Sequence, residues 1–347
     1  MADVYSCGLV MVYFVARGIL MNFAVIGTNF VTDWFLEAGE LCEDFSLIAV
    51  YSRTMARAKE YAGKHGAKYA FDSLDDVCRC SEIDAVYVAS PTSCHCAQSI
   101  KLMNAGKHVL CEKPIASNLN ELMSMLKCAK ENNVVLLEAM RPQFSPALNV
   151  IENTLEFLGE IRYVNISFNK YSSRYDRFLL GEQVNTFNPK LSNGALTDLG
   201  CYCIHILHRL FGEPLRIQSS AVKLKNGIDV TGAFIADYTK MMANISYSKV
   251  SDTHNFCEIQ GEQGTLQFRD IASLNEIYLT KRGCITECIF TPMVEQDMLY
   301  ELQTFIKYTK NQTGLDVRNH SSISVMRIMD EVRRQVGIVF PADKFSC

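Results

Sequence analysis

The first half of the chain alternates short apolar runs with amphipathic stretches of helical length. The apolar runs predict buried strands at residues 22–26, 47–51, 68–70, 85–89, 109–111 and 134–138. Apolar residues at helical spacing between these runs predict helices that include 54–65, 74–80 and 119–132. Strands that alternate with helices of this length form parallel, doubly wound sheets. This half of the chain therefore predicts an α/β domain.

From about Phe144 the pattern changes to alternating apolar and polar residues, which is typical of half-buried strands. It predicts strands at residues 161–171, 217–223, 232–238, 243–248, 256–260, 265–268 and 277–280, with helices at 147–158, 296–310 and 321–336. The run Gly261-Glu262-Gln263-Gly264 predicts a hairpin turn between two of the strands. We therefore expect a doubly wound domain at residues 21–142 and an α+β domain at 143–347, whose largely antiparallel sheet leaves one face open.

The first twenty residues continue neither pattern. Residues 9–16 are apolar, but this run is well short of the ~20 residues that span a bilayer. Asp3 precedes the run, Arg17 follows it, and no clear small-residue cleavage site is present, so the segment makes a poor signal peptide. We interpret residues 1–20 as an extension outside the fold, with a targeting segment as the alternative, and we expect no membrane partner.

Charge and cysteine content narrow the classes of function. The formal net charge is −4, from 34 Lys and Arg against 38 Asp and Glu, and no basic run occurs. Nucleic-acid-binding proteins carry a basic patch, so we expect no nucleic-acid partner. The chain has 14 cysteines but no Cys-x-x-Cys, and their spacings are not those of a zinc site. We therefore expect no metal site, and we expect reduced thiols in a cytoplasmic protein.

The first predicted strand ends at Gly27, and a helix follows directly. Dinucleotides bind at such a strand–turn–helix junction, because the N-terminal amides of the helix hold the pyrophosphate. Asn29 and Thr32 replace the second and third glycines of the G-x-G-x-x-G fingerprint, and we expect Asn29 to accept the left-handed backbone conformation. The predicted cofactor contacts here are Gly27, Thr28, Asn29, Phe30 and Val31. The alternative is an ordinary tight turn between a strand and a helix.

The second predicted strand ends in Ser52 and Arg53, which are also candidate cofactor contacts. Proteins that select NAD usually place an acidic residue here to bind the ribose diol, whereas a guanidinium can hold a 2′-phosphate through two hydrogen bonds. We therefore predict that NADP(H) is preferred, with NAD(H) as the alternative cofactor. The structural alternative is that Arg53 is a solvated residue at the start of a helix.

Other strand ends add candidates, because the carboxyl ends of strands in an open α/β sheet face the ligand crevice. The central candidate is the run at residues 106–116, in which a buried strand ends in Glu112, Lys113 and Pro114. A lysine here can lie near a reacting oxygen, and Pro114 favours a cis bond after Lys113. The alternative is a surface Glu-Lys pair in a turn. The remaining predicted cofactor contacts are Ser90, Pro91, Thr92, His95, Met140 and Arg141, with a packed helix histidine as the alternative for His95.

A second chemical cluster lies within residues 192–205. If residues 197–210 are helical, Asp198 and Tyr202 lie at positions i and i+4 on one face, with His205 three residues further. A carboxylate, a phenol and an imidazole in this arrangement are candidate proton-transfer groups. The alternative is that Tyr202 and His205 are half-buried packing residues and that Asp198 is a charge at a helix start.

Together these residues resemble the glucose–fructose oxidoreductase, inositol dehydrogenase and rhizopine-catabolism (Gfo/Idh/MocA) family, from residue 21 almost to the C-terminus. The most specific marks are residues 106–114, with Glu112-Lys113-Pro114, and residues 194–202, with Asp198, Gly200 and Tyr202. Many members have histidine where Tyr202 stands. In having a tyrosine at this position, the chain resembles the branch of the family that contains glucose–fructose oxidoreductase and dimeric dihydrodiol dehydrogenase.

The resemblance implies a Rossmann domain followed by an open-faced sheet that commonly forms a homodimer contact. It also implies that Lys113 lies beside the nicotinamide and Tyr202 beside the substrate hydroxyl. Hydride would then move between nicotinamide C4 and a carbinol or carbonyl carbon of a sugar, a sugar derivative or a polyol. We expect Tyr202 to be the acid or base, Lys113 to stabilise the alkoxide and favour ionisation of Tyr202, and Asp198 to orient one of the reacting groups.

Further polar contacts to a polyhydroxylated substrate are predicted from Arg141, Tyr171, Ser173, Arg174 and His205. Two alternatives remain open at this stage. One is a trans-dihydrodiol dehydrogenase, and the other is a non-catalytic sensor that binds NAD(P) and a partner protein. A sensor has no need of Lys113 together with Tyr202, which favours an enzyme.

Overall fold

The computed structural model describes residues 20–254, 256–292 and 295–344. The predicted extension at residues 1–20 therefore lies outside the described residues, apart from Leu20. Within the described residues, no helix is both long and apolar enough to cross a lipid bilayer.

The first half of the chain forms a six-stranded parallel sheet. Its strands are β1 (Met21–Ile26), β2 (Phe45–Tyr51), β3 (Tyr69–Phe71), β4 (Ala85–Val88), β5 (His108–Glu112) and β6 (Leu136–Ala139). The intervening helices are α1 (Phe30–Glu40), α2 (Met55–His65), α3 (Leu74–Arg79), α4 (Thr92–Asn104) and α5 (Leu119–Glu131). The strand order is β3-β2-β1-β4-β5-β6, so the direction of winding reverses between β1 and β4. Ligands of doubly wound sheets bind at this reversal, outside the carboxyl ends of the strands.

Apolar side chains on both faces hold this sheet in place. The β1 residue Phe23 and the α1 residue Phe35 are fully buried, with ring centroids 6.0 Å apart. Phe35 also stacks on Tyr87 of β4 at 3.8 Å. Strands covered on both faces read as continuous apolar runs, which is why the sequence pattern located them.

The second half forms an eight-stranded sheet in the order β14-β13-β12-β11-β7-β10-β9-β8. Its strands are β7 (Ile161–Asn169), β8 (Arg216–Lys223), β9 (Asp229–Asp237), β10 (Met242–Ser248), β11 (Cys257–Gly261), β12 (Gly264–Phe268), β13 (Ile277–Lys281) and β14 (Thr286–Phe290). The accompanying helices are α6 (Pro146–Thr154), α7 (Tyr175–Leu179), α8 (Cys201–Phe211), α9 (Met298–Lys310) and α10 (Leu315–Val336). All neighbouring strands are antiparallel except β7 and β10. The predicted fold class and the hairpin between β11 and β12 are confirmed.

The two faces of this sheet differ. Phe234 of β9 is buried in the core that includes residues of α8 and α10, whereas its neighbour Ile235 is 39% exposed. The sequence pattern did not predict β14 or α7. Both are short and largely exposed, so they leave little hydrophobic periodicity to read.

The last two long helices pack against the first sheet, although they follow the second sheet in the chain. Met298, Leu302 and Phe305 of α9 belong to the apolar core of the first sheet, where Phe305 lies 5.8 Å from Phe23. Helix α10 contacts α5 and β6 on one side and α8 and β8 on the other. The predicted domain boundary between residues 142 and 143 stays a prediction. Helix α10 contacts elements from both sides of this boundary.

Candidate active site

An ammonium from the first sheet and a phenol from the second half of the chain meet in one place. Lys113 follows β5, and its Nζ donates hydrogen bonds to the backbone oxygen of Asp198 at 2.9 Å and to Asp198 Oδ1 at 3.2 Å. The same Nζ lies 4.8 Å from the centroid of the Tyr202 ring. Lys113 therefore contacts two candidate residues of the second stretch of sequence.

Buried groups around the end of β5 fix the position of Lys113. The Lys113–Pro114 bond is cis, as the sequence indicated. Glu112 accepts a hydrogen bond from the Lys113 amide at 3.2 Å and another from the Tyr87 hydroxyl. Burial raises the pKa of the Glu112 carboxyl, although the Tyr87 hydrogen bond and the Lys113 charge lower it. This carboxyl group thus faces the buried Tyr87 and organises the loop that carries Lys113.

His95 also supports this loop. Its Nδ1 lies 3.0 Å from the Pro114 carbonyl oxygen, and its Nε2 lies 2.8 Å from the Ser90 carbonyl oxygen. The side chain is buried, and burial lowers its pKa against the opposing effect of the two carbonyls. His95 therefore joins two loops at the carboxyl edge of the sheet and is the packed helix histidine of the alternative interpretation.

A buried carboxylate, that of Asp229, binds the backbone of the turn that carries Asp198. Leu196–Gly200 forms a π-helical turn that leads into α8, so the predicted regular helix begins with a wider turn. Asp229 Oδ2 accepts a hydrogen bond from the Leu196 amide at 2.7 Å. A Cβ at Gly194 would lie 1.9 Å from Asp229 Oδ1, so a side chain there would displace this carboxylate. Sequence reasoning missed Asp229, because a single acidic residue at the start of a strand has no local signature.

The charges of the site shift the pKa values of its three central groups. Burial lowers the pKa of Lys113, but the negative charges of ionised Tyr202 and Asp198 outweigh this effect and raise it. For Tyr202, burial raises the pKa, and the nearby Lys113 and Arg141 charges reduce this increase without cancelling it. The expected help of Lys113 in ionising Tyr202 is thus present but smaller than the effect of burial, and the phenol is protonated at neutral pH.

Asp198 stays ionised. It is only partly buried, with 42% of its side-chain surface exposed. Desolvation raises its pKa, but two ammonium groups, those of Lys249 and Lys113, hold the pKa well below its usual range. Lys249 follows β10 and places its Nζ 3.1 Å from Asp198 Oδ2. The sequence analysis did not single out Lys249.

The phosphate turn differs from the expectation in one respect. Gly27 has a φ of 109°, and a Cβ there would lie 2.5 Å from the Ala89 carbonyl oxygen, so glycine is required. Asn29, in contrast, is extended at φ −111°, and the prediction that it is left-handed was wrong. Its Oδ1 instead accepts hydrogen bonds from the Val31 and Thr32 amides at 2.9 and 3.3 Å, capping α1. Thr28 and Phe30 flank this cap in the same turn.

Two arginines follow β2, and one of them contacts this turn. Arg53 is exposed and has no hydrogen bond or ion pair to another described residue, while Ser52 beside it is partly buried. Arg57, one turn into α2, donates to Thr28 Oγ1 and to the Thr28 carbonyl oxygen, both at 3.1 Å. The Arg57 guanidinium thus binds the turn after β1, and Arg53 follows β2, the strand next to β1. The sequence analysis missed Arg57 because its contact depends on how α2 packs against that turn.

The predicted cofactor and substrate contacts from other loops are dispersed. Arg141 donates to Asp297 Oδ1 at 2.8 Å and lies 5.8 Å from the Trp34 ring, so its guanidinium is already paired. The guanidinium of Arg174 lies 5.4 Å from the Phe30 ring and therefore faces the phosphate turn. Three further candidates have these positions: Thr92 and Met140 are buried, and Pro91 is exposed.

The segment after β7 holds the other predicted substrate residues. Tyr171 donates from its hydroxyl to Asp176 Oδ1 at 2.6 Å, and Ser173 is exposed. His205 is only 2% exposed, and its Nε2 lies 3.3 Å from Glu138 Oε2 of β6. The predicted substrate contact of His205 is therefore replaced by a buried contact with Glu138. Burial raises the pKa of Glu138, but His205 and two hydrogen-bond donors outweigh this and lower it. This buried pair joins β6 to α8, one helical turn beyond Tyr202.

Comparison with known proteins identifies the family to which this chain belongs. The oxidoreductase family with an NAD-binding Rossmann fold (GFO_IDH_MocA) matches residues 21–140, and the GFO/IDH/MocA C-terminal domain matches residues 156–267. Over 327 residues the chain is 41% identical to the scyllo-inositol 2-dehydrogenase (NADP(+)) IolU of Bacillus subtilis (strain 168), which covers 94% of this chain and 100% of that protein. The chain belongs to the Gfo/Idh/MocA family.

Membership of the Gfo/Idh/MocA family confirms the resemblance found in the sequence. The chain is an oxidoreductase with an NAD-binding Rossmann fold. A trans-1,2-dihydrobenzene-1,2-diol dehydrogenase of Danio rerio is 29% identical over 87% of this chain and 92% of its own length. A 3-ketoreductase from Actinomadura kijaniata, solved with NADP and TDP-benzene, matches the fold with a TM-score of 0.83 at 20% identity, covering 92% of this chain and 99% of that one.

The described residues contain no cluster of His, Cys, Asp and Glu side chains that could hold a metal ion. Lys113 has three N–H donors, of which Asp198 takes two, so one is left for a substrate oxygen. Among the described residues the Tyr202 hydroxyl makes no hydrogen bond and is likewise available.

Proposed function

We propose that this protein interconverts a cyclic polyol and its ketone with NADP(H). The observation that carries the proposal is the meeting of Lys113 Nζ, 4.8 Å from the Tyr202 ring, with Asp198 between two ammonium groups. Support for the substrate class comes from the relative at 41% identity, which is a scyllo-inositol 2-dehydrogenase (NADP(+)).

The reaction needs one hydride and one proton. In the direction of reduction, bound NADPH would supply a hydride, with its two electrons, from its nicotinamide C4 to the carbonyl carbon, where the new C–H bond would form. The carbonyl oxygen then carries a negative charge, and Tyr202 supplies the proton that converts it to a hydroxyl. Oxidation reverses both transfers. The bound nucleotide supplies the hydride chemistry, and the residues of the chain orient the substrate oxygen and move the proton.

Each of the three residues then has a distinct task. The free N–H of Lys113 points a full positive charge at the substrate oxygen, where negative charge develops, and such preorganised stabilisation is often the largest contribution to catalysis. Tyr202, protonated at neutral pH, is the acid in reduction. Asp198 fixes the Lys113 ammonium through two hydrogen bonds. Arg141 keeps N–H donors beyond its bond to Asp297 and stays a proposed substrate contact, whereas His205, buried against Glu138, is left out.

Substrate turnover tests the proposed function directly. Production of NADPH would be followed by absorbance with NADP+ and a panel that contains scyllo-inositol, its isomers, aldoses and trans-1,2-dihydrobenzene-1,2-diol. We expect turnover with one or more cyclic polyols. Turnover restricted to the dihydrodiol would instead support a dihydrodiol dehydrogenase, the second candidate, which the 29% identical Danio rerio relative favours. Turnover with none of these compounds would contradict the proposal.

We assign selection of the 2′-phosphate to Arg53, with support from Arg57. A charge-assisted hydrogen bond contributes about 1.5–3 kcal/mol, so Arg53→Ala is expected to weaken NADPH binding relative to NADH by about 10- to 100-fold. Calorimetric titration with both nucleotides measures this ratio. Arg79→Ala, which removes an exposed arginine of α3, is the matched control and should leave the ratio unchanged. An unchanged ratio in Arg53→Ala would refute the assignment.

We also propose that the protein forms a homodimer through the open face of the eight-stranded sheet. We further propose that it is cytoplasmic. Ile235 and Met242 are 39% and 40% exposed on this face, beside an Asn244–Asn165 hydrogen bond of 2.8 Å. An exposed sheet face with apolar residues among polar pairs is suited to contact with a second copy. Every cysteine of the described residues is a free thiol, which supports a reducing compartment.

A further inference from the structure

A second lysine is buried against the proposed catalytic carboxylate. Lys249 is 2% exposed, and its Nζ lies 3.1 Å from Asp198 Oδ2 and 3.1 Å from the Thr186 carbonyl oxygen. The ammonium also lies 5.0 Å from the centroid of the Phe187 ring. Burying an ammonium is costly unless it is paired, so this placement calls for an explanation. The proposed reaction assigns it no task.

Three side chains, Lys113, Asp198 and Lys249, together hold more positive than negative charge, with the buried carboxyl groups of Glu112 and Asp229 nearby. Asp198 offers one oxygen to each lysine: Oδ1 to Lys113 at 3.2 Å and Oδ2 to Lys249 at 3.1 Å. One carboxylate neutralises one ammonium, so these three groups together carry a charge of about +1. The adjacent Arg141 is paired with Asp297 at 2.8 Å and adds no net charge. Without Lys249, Asp198 would cancel the charge of Lys113.

A surplus positive charge distinguishes the two redox states of a nicotinamide site. The oxidised ring carries a positive charge and is repelled, whereas the reduced ring is neutral. The substrate oxygen becomes negative during reduction and is attracted. We propose that Lys249 supplies the surplus charge that makes this site bind reduced cofactor more tightly than oxidised cofactor, and so suits it to carbonyl reduction. This inference rests on the proposed function of the same site.

An alternative task for Lys249 is purely mechanical, because its bond to the Thr186 carbonyl oxygen anchors the segment before the Asp198 turn. The two tasks respond differently to a second substitution. Removing Lys249 alone takes the three-group charge from +1 to 0, and removing the Asp198 charge alone takes it to +2. Removing both restores +1 but restores no anchor. The double variant therefore separates charge from anchoring.

The experiment is calorimetric titration of NADP+ and NADPH into the full chain and its variants Lys249→Met, Lys249→Arg, Asp198→Asn and Lys249→Met/Asp198→Asn. The measured quantity is the ratio of the Kd for NADP+ to the Kd for NADPH. A unit charge roughly 10 Å away at an effective dielectric constant of about 20 changes such a ratio about tenfold. We expect a fall of about tenfold in Lys249→Met, a rise of similar size in Asp198→Asn, and values near the wild type in Lys249→Arg and the double variant.

Two results would overturn the inference. One is an unchanged ratio in Lys249→Met or, should that variant not fold, in Asp198→Asn. The other is a double variant that departs from the wild type at least as far as Lys249→Met does, which is the outcome of an anchoring role. Failure of the wild type to bind either nucleotide would contradict the proposed function itself, so the two failures are distinguishable.

Discussion

Lys113→Met is expected to lower kcat by about 10³-fold while NADPH affinity changes by less than about threefold. The loss follows because the ammonium is the proposed cationic donor that faces the developing negative charge, and removal of one preorganised donor of this kind costs about 10²–10³ in kcat. Nucleotide affinity is largely retained, because the phosphate turn and the Arg57 side chain bonded to Thr28 belong to elements other than the loop of Lys113. Steady-state kinetics and calorimetric titration provide the two numbers.

Lys127→Met is the matched control for this prediction. Its side chain lies on α5 with 76% of its surface exposed, so the same chemical change there should leave kcat and affinity as they are. A Lys113→Met enzyme that retains more than a tenth of the wild-type kcat would exclude Lys113 from the chemistry. Circular dichroism confirms that both variants fold before the comparison is made.

Tyr202→Phe is expected to lower kcat by about 10²–10⁴-fold, the usual contribution of a positioned acid, with little change in KM. Phenylalanine keeps the edge-to-face contact with Phe168, whose ring centroid lies 5.4 Å away, so packing is preserved and only the hydroxyl is lost. Steady-state measurement in both directions tests this prediction. Tyr69→Phe, at a partly buried tyrosine of β3 whose hydroxyl bonds Glu82, serves as the control for loss of a hydroxyl.

The pH dependence provides an independent readout of the same residue. Burial raises the pKa of Tyr202 above its ordinary value of about 10, so the phenol remains protonated through the neutral range. Carbonyl reduction by the wild type should therefore be flat between about pH 6 and 9 and fall only as the pH rises through that pKa. The residual activity of Tyr202→Phe should lack this alkaline limb. An alkaline limb that persists unchanged would assign the proton to another group.

The part of the site that lies on the first sheet could be predicted from the sequence, because the positions of the strands determine where its residues lie. Continuous apolar runs locate β1 and β5, and the residues directly after them necessarily lie at the carboxyl edge of a parallel sheet. Gly27 and Lys113 were therefore placed by pattern alone. The contact of Lys113 with Asp198, in contrast, joins residues 85 positions apart, and only the resemblance to a family predicted it.

Other features depend on packing that no local pattern records. The pairing of His205 with Glu138 depends on how α8 docks against β6, and this pairing removed a predicted substrate contact. Lys249 stands alone after a strand, and its task emerges only when Asp198 lies beside it. Asn29 matched its position in the fingerprint but not its conformation, because its side chain caps α1 rather than freeing the turn.

A crystal structure of the ternary complex with NADP+ and a polyol substrate tests the central claim most directly. The claim is that Lys113 and Tyr202 act on one substrate oxygen next to the nicotinamide. We predict that this oxygen lies about 3 Å from both Lys113 Nζ and Tyr202 Oη, with its carbon facing nicotinamide C4. A complex in which the nicotinamide and the substrate oxygen lie away from either group would contradict the account.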